Sequence, residues 1–160
     1  MSRYNIKILN DTTFYDKRGS IWTSWKKNKI KLNFNHDKFA YSKKNVFRGL
    51  HYDNKTWKLV SCVYGSIFLV VVKIDKSKSI YKHEKFFLDF NSNKSVLIPP
   101  GFANGHLCLS KECVFHYKLF YRGKYSDVRE QKTLFYNDKR LNIIWPTKKK
   151  FILSDRDKGN

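Results

Sequence analysis

Two short stretches of the chain hold residue types that chemistry could use. The first, Asn45-Val46-Phe47-Arg48-Gly49-Leu50-His51-Tyr52-Asp53, sets an arginine and a histidine three residues apart, beside a glycine. A histidine titrates near neutral pH and can take or give a proton, and an arginine fork suits an anion. In a regular strand, positions 48 and 51 point to opposite faces, so the pair shares one site only if Gly49 bends the chain. A surface arginine and a hydrogen-bonded histidine would fit the same residues. The second stretch, Ile98-Pro99-Pro100-Gly101-Phe102-Ala103-Asn104-Gly105-His106, is a proline-stiffened loop rejoining a strand, and an ordinary barrel corner reads the same way. Neither stretch alone names a reaction.

These residues need a scaffold, and the composition supplies one. The chain has 160 residues, 41% hydrophobic and 17% aromatic. That is the length of one domain, residues 1–160, with material for a core. Disordered chains are poor in aromatics, so disorder is excluded despite the charge. The longest unbroken apolar run, Ile67-Phe68-Leu69-Val70-Val71-Val72, is six residues, against about 20 for a membrane helix. The opening Met1-Ser2-Arg3-Tyr4-Asn5-Ile6-Lys7 holds no apolar secretory segment, so a soluble, cytoplasmic protein without a membrane partner is expected. Cys62, Cys108 and Cys113 form no Cys-x-x-Cys pair, which excludes a disulfide scaffold and a zinc ribbon.

The charge needs weighing. Lys+Arg 33 against Asp+Glu 13 gives a net +20, on its face a footprint for a polyanion. Only seven of those cations are arginines, and the lysines scatter from Lys7 to Lys158 in short clusters. Readers of phosphate and base edges lean on grouped arginine forks. A solvated lysine surface is the better reading, and no nucleic-acid partner is expected.

The elements that must position the two stretches are strands. Apolar and aromatic runs bounded by turn residues occupy 58–63, 66–74, 86–90, 95–98, 106–109, 114–120 and 132–135, and 30–34 alternates. Their β-branched and aromatic content suits pleated, half-buried surfaces. No long stretch holds a 3.6-residue period, and 139–144 is at most a short turn of helix. Many short strands at such spacings predict an all-β fold, a sandwich or small barrel.

Taken in order, the segments carry more. Phe14-Tyr15-Asp16-Lys17-Arg18-Gly19, Arg48-Gly49-Leu50-His51, Lys58-Leu59-Val60, Tyr64-Gly65, Ile98-Pro99-Pro100-Gly101-Phe102-Ala103, Tyr117-Lys118, Asn137-Asp138, Trp145-Pro146 and Leu153-Ser154-Asp155-Arg156-Asp157 follow one another. Over roughly residues 10 to 158 this set resembles the dTDP-4-dehydrorhamnose 3,5-epimerase family. The resemblance implies a cupin-type jelly roll (a double-stranded β-helix barrel) forming a single epimerase domain. It implies an isomerase that inverts C3, C5 or both of a nucleoside-diphosphate 4-keto sugar, without cofactor, for surface polysaccharide synthesis. Residue by residue, it makes His51 the general base with Asp157 (rather than Asp155) as its partner. Tyr117 becomes the acid on the opposite face of the sugar, and Lys58 the positive group at the developing enolate. Arg48 and Arg18 fall at the diphosphate, Arg18 reaching it from the neighbouring subunit of a strand-exchanged homodimer.

The chemistry suits those residue types. A hydrogen beside a C4 ketone is acidic because the carbanion delocalises as an enolate. Inversion then needs a base on one face, a donor on the other and positive charge at the oxygen. An aspartate fixes the tautomer of a basic histidine, a lysine supplies charge in a dry site, and a tyrosine near Lys118 or Lys58 would have its pKa pulled down. Metal-binding cupins use a His-x-His pair; here Tyr52-Asp53 follows His51, and neither His106 nor His116 restores the spacing, so no metal is expected.

Departures from the family pattern bear on the substrate. The connection 52–57 is short and carries Lys55-Thr56-Trp57, and Phe-Ala-His-Gly becomes Phe102-Ala103-Asn104-Gly105 with His106 next. The glutamate at the thymine gives way near Thr23, the Gln and Asn positions become Asn35 and Asp37, and the tyrosine pair shifts to Tyr121 and Tyr125. Thr23, Asn35, Asp37, Asn104, His106 and Tyr121 are therefore the expected substrate contacts. The pattern looks more like the branch acting on GDP-linked 4-keto-heptoses in capsule synthesis, since Asp37 could accept from guanine; a dTDP-4-keto-6-deoxyhexose is the other expectation. Two readings from other classes stand beside these. One is a catalytically silent nucleotide-sugar-binding jelly roll, against which His51, Lys58, Tyr117 and Asp157 together argue. The other is a basic nucleic-acid-binding β-barrel, which would need its aromatics exposed along one groove.

Overall fold

The computed structural model describes residues 6–10, 12–75, 77 and 81–159. Along them run β1 (Lys7–Asn10), β2 (Thr13–Asp16), β3 (Gly19–Trp22), β4 (His36–Lys43), β5 (Phe47–Tyr52) and β6 (Trp57–Tyr64). Then come β7 (Ser66–Lys73), β8 (His83–Asp89), β9 (Lys94–Ile98), β10 (Phe102–Cys108), β11 (Glu112–Phe120), β12 (Lys132–Thr133) and a one-turn helix α1 (Asp155–Lys158). Two five-stranded sheets result, sheet I in the order β1-β9-β6-β11-β4 and sheet II in the order β12-β5-β10-β7-β8. Their ladders are antiparallel. From β4 to β7 and again from β8 to β12, successive strands alternate between the sheets, which makes the fold the expected jelly roll. Among the described residues no helix is long and apolar enough to cross a membrane.

The apolar run of β7 is unbroken because both of its faces are covered. Ile67, Leu69 and Val71 meet Val60, Val96, Ile98 and Phe115 of sheet I in the core between the sheets. Phe68, Val70 and Val72 face the other way, under Tyr81, Leu134, Leu141 and Phe151. Sheet I has its own outer cover, where Ile30, Trp25, Leu32 and Phe34 pack on Leu59, Leu97 and Trp57. Here the structure corrects one expectation: 30–34 alternates as read, but it is no strand. Its apolar residues pack on a sheet face while its backbone joins no ladder. Residues 139–141 form a turn and 142–144 are irregular rather than helical, with Leu141 buried in the sheet II cover. Strands β1 to β5 escaped the pattern; the even positions of β4 turn inward, but that side includes His36, Lys38 and Ser42, so polar residues interrupt the alternation.

A crowded pair of glycines shapes the edge of sheet II. His51 stands opposite Asn104 and Arg48 opposite His106, so Gly49 and Leu50 together oppose Gly105. That is a β-bulge, and it shifts the strand's alternation by one residue. Gly49 takes φ +131, and a Cβ there would lie 2.4 Å from the Gly105 Cα; a Cβ on Gly105 would lie 2.8 Å from the Arg48 carbonyl oxygen. The C-terminal segment docks beside the same strand. The Phe47 N–H donates to the Ile152 carbonyl at 3.1 Å and the Ile152 N–H to the Asn45 carbonyl at 2.9 Å, which brings α1 alongside β5.

Gly49→Ala is expected to lose stability through two costs, ~1–3 kcal/mol of backbone strain and ~1–3 kcal/mol of overlap. Gly19 has nearly the same φ, +129, with nothing within 4 Å of a new Cβ, so Gly19→Ala carries the strain alone. Urea unfolding of the two variants checks this: equal losses would show that the approach of Gly49 to Gly105 does not matter.

Candidate active site

Between the sheets lies a cavity of about 570 Å³, lined from β4, β5, β6, β10, β11, the segment after β11 and the C-terminus. His51, Lys58, Tyr117, Asp157, Arg48 and Asn104 all line it. The bulge answers the question left by the sequence, since Arg48 and His51 reach one site despite their odd spacing.

His51 and Asp157, 106 positions apart, are joined by a hydrogen bond of 2.6 Å between His51 Nε2 and Asp157 Oδ1. With Nε2–H donated to the carboxylate, the neutral ring keeps its lone pair on Nδ1. Asp157 is only 3% exposed. Burial pushes its carboxyl pKa up, but the hydrogen bond and charge of His51, the Ser154 hydroxyl and the Arg156 charge more than offset that and hold it below the usual value. Ser154 does two jobs: its Oγ donates to Asp157 Oδ2 at 2.9 Å and accepts the Asp157 N–H at 3.3 Å, capping α1. Arg156 ties the same turn to the end of sheet II, donating through Nε to Thr133 Oγ1 and through Nη2 to the Gln131 carbonyl, each at 3.1 Å. Thr133 pairs with His51 across the ladder, so the helix turn and His51 share one support.

Lys58 enters from sheet I and bonds to sheet II. Its Nζ donates to Asn104 Oδ1 at 2.8 Å and to the His51 backbone carbonyl at 3.2 Å. Burial lowers its pKa to about 8, against the opposing pull of Asp53. Tyr117 stands on β11 in the sheet facing His51, its ring edge-on to Phe115 at 4.6 Å. Burial raises its phenol pKa, and the Arg48 charge does not cancel that. This corrects the expectation of a lowered pKa. Lys118 lies on the other side of β11, where its Nζ is bound by Asp37 at 2.9 and 3.0 Å. Arg48 is held at the cavity by Ser42 Oγ and the Tyr41 carbonyl, at 3.0 and 3.1 Å.

Several expected contacts stand elsewhere. Asp37 projects to the outer face of β4, where His116 Nε2 bonds it at 2.8 Å along with Lys118, while its neighbour Lys38 lines the cavity. Asn35 donates to the Tyr121 carbonyl at 3.1 Å, and the Tyr121 hydroxyl meets His36 Nδ1 at 3.2 Å; Tyr125, not Tyr121, lines the cavity. Thr23, just past β3, is not among the lining residues. His106 is fully buried, stacked on Phe115 at 4.2 Å with neither ring nitrogen bonded, and burial drops its pKa to about 3. It is a neutral ring behind the wall rather than a substrate contact. Arg18 sits on the β2–β3 hairpin, 84% exposed and paired with Asp16 at 2.6 Å, away from this cavity. Conversely, Lys38, Ser154 and Arg156 line the cavity without having been anticipated. Ser154 and Arg156 could have been found as the immediate neighbours of Asp157; Lys38 had no signal short of knowing which way β4 faces. Among the described residues, no three His, Cys, Asp or Glu side chains gather as a metal site would.

Comparison with known proteins gives the chain a family. The family model for dTDP-4-dehydrorhamnose 3,5-epimerase matches residues 4–160. The dTDP-4-dehydrorhamnose 3,5-epimerase of Shigella flexneri is 35% identical over 163 residues, spanning 96% of this chain and 88% of the relative. The Legionella pneumophila dTDP-6-deoxy-D-glucose-3,5-epimerase, solved in complex with dTDP-4-keto-L-rhamnose, superposes with a TM-score of 0.85 at 30% identity, covering 96% of this chain and 85% of that one. The Bacillus anthracis dTDP-4-dehydrorhamnose 3,5-epimerase, with TDP and PPi bound, gives 0.85 at 28% identity over 96% and 91%. With the family model spanning nearly its whole length, this chain belongs to the dTDP-4-dehydrorhamnose 3,5-epimerase family, whose members are isomerases.

Proposed function

We propose that this chain epimerises a dTDP-linked 4-keto-6-deoxy sugar at C3, C5 or both by proton removal and return, within the cytoplasm, for surface polysaccharide synthesis. The observation that carries this reading is the His51–Asp157 hydrogen bond of 2.6 Å, set across the cavity from Tyr117 and beside a buried Lys58. His51 Nδ1 takes the proton from the carbon beside the ketone. Charge then moves to the C4 oxygen, where the buried Lys58 ammonium stabilises it. Tyr117, whose pKa burial raises, keeps its proton at neutral pH and returns one from the opposite face. Arg48 at the cavity rim is a donor for the diphosphate. No step calls for a cofactor or a metal.

The nucleotide follows from the relatives, whose names and ligands are dTDP-linked. A GDP-heptose substrate loses its support, because the carboxylate meant for guanine, Asp37, is already bound by Lys118 and His116 on the outer face of β4. The chain works as a homodimer in this reading. Its β2–β3 hairpin leaves Phe14, Tyr15 and Ile21 at 67, 74 and 71% exposure, a patch that a second copy would cover while Arg18 reached the neighbouring cavity.

In heavy water, the chain alone should wash deuterium into C3 or C5 of a dTDP-4-keto-6-deoxyhexose, read by mass spectrometry. His51→Asn should slow exchange by about 10²–10⁴-fold, the worth of a placed general base. Asp157→Asn should fall between wild type and that variant, and Tyr117→Phe should keep exchange while losing net inversion. Wild-type exchange rates in His51→Asn would place the base elsewhere.

The Lys58 pKa of about 8 sets a pH limit. The ammonium is present below that pH and lost above it, so kcat should decline as pH rises through about 8; a rate flat to pH 10 would remove Lys58 from the enolate. Calorimetry should find dTDP bound more tightly than GDP, and sedimentation at micromolar concentration should find a dimer. A monomer would detach Arg18 from the site.

A further inference from the structure

The ammonium of Lys58 is held by the sheet opposite its own. Two of its three N–H donors go to sheet II, one to Asn104 Oδ1 at 2.8 Å and one to the His51 carbonyl at 3.2 Å. One is left for a group in the cavity. Asn104 is only 4% exposed, and its backbone is pinned on both sides, opposite His51 on β5 and opposite Val71 on β7. Buried on a fixed backbone and with a short side chain, its amide has fewer ways to move than the four-carbon stem of Lys58, so the lysine follows the amide. We infer that Asn104 acts on the reaction through Lys58, its Oδ1 holding the ammonium so that the remaining N–H points at the oxygen of a bound keto group. This rests on the enolisation reading above, and Asn104 is a positioning residue in it.

The residue type fits the task. An amide oxygen accepts a hydrogen bond without cancelling the ammonium's charge, so the full positive charge stays available to a developing enolate. A carboxylate in its place would neutralise Lys58, and an apolar side chain would leave a buried N–H unbonded. The other charged groups around Nζ pull in both directions: Asp53 favours the proton, Arg156 and Lys38 disfavour it, and His51 and Tyr117 line the same cavity. Burial already brings Lys58 to about 8, so the identity of residue 104 should be visible in its titration.

Carbon NMR of the Lys58 Cε, followed against pH in the full chain without ligand, reads that titration without calling on activity; Lys58→Met identifies the signal. Asn104→Asp should raise the midpoint by about one unit or more, as an opposite charge at hydrogen-bond distance does, and Asn104→Leu should lower it. In turnover of a dTDP-4-keto sugar, the alkaline limb should move with the midpoint in each variant. Asn104→Asp should lose about tenfold or more in kcat with KM changing less. If Asn104→Leu does not fold, Asn104→Ala serves in its place. A Lys58 midpoint unmoved by Asn104→Asp and by the apolar variant overturns the inference, whatever the activity. So do midpoints that move while the alkaline limb of turnover stays where it was in wild type. Failure of the enolisation reading shows differently, as a wild-type chain that exchanges no solvent deuterium.

Discussion

The approach of Gly49 to Gly105 is the contact on which the rest of the site depends. The backbones of β5 and β10 come so close there that neither position has room for a Cβ, and the extra residue on β5 turns Arg48 and His51 toward one cavity. Without the bulge, an arginine and a histidine three apart would face opposite sides of sheet II. The same crowding fixes Asn104 beside His51, and Asn104 in turn holds the ammonium of Lys58. A packing constraint between two hydrogen atoms thus reaches the chemistry through two hydrogen bonds.

Electrostatics at the site is organised by burial. Asp157 stays ionised against desolvation because a histidine, a serine hydroxyl and an arginine all favour the charged form. Lys58 loses part of its basicity to burial, Tyr117 gains a firmer hold on its proton, and His106 behind the wall is kept neutral. The three shifts have one cause, the cost of charge away from water. Together they leave a carboxylate-bound histidine, a protonated phenol and a cation lining one cavity. The formal +20 of the chain plays little part in this; the cations that matter are the few whose stems reach the cavity.

Outside the cavity, the two covers of the jelly roll divide the labour. The segment 25–34 shields the outer face of sheet I, and the segment 134–153 shields sheet II before the chain reaches α1. The C-terminal cover is also the route by which Asp157 arrives: the ladder contacts of Ile152 and the Arg156 tether to β12 place a residue from the end of the chain against one from its first third. The cover and the cavity share this segment, so a change that loosens the cover also moves the hydrogen-bond partner of His51.

The sequence alone determined the strands of high apolar density, because burial on both faces leaves an unbroken run that survives any register. It also picked out side chains that belong together, since the motifs that carry the family resemblance single out His51, Lys58, Tyr117 and Asp157, and all four line one cavity. It did not determine direction. Asp37 and Lys38 are adjacent letters, and only the pairing of β4 with β11 decides that the first faces outward and the second inward. It could not see that 30–34 packs without pairing, because alternation records burial and not hydrogen bonds. Nor could it foresee the sign of the shift at Tyr117: Lys118 or Lys58 nearby suggested a lowered pKa, whereas the strand turns Lys118 to the opposite face and burial against the core outweighs the charges around the phenol. Those outcomes belong to tertiary structure because a side chain's field, solvent and partners are set by the elements facing it across space.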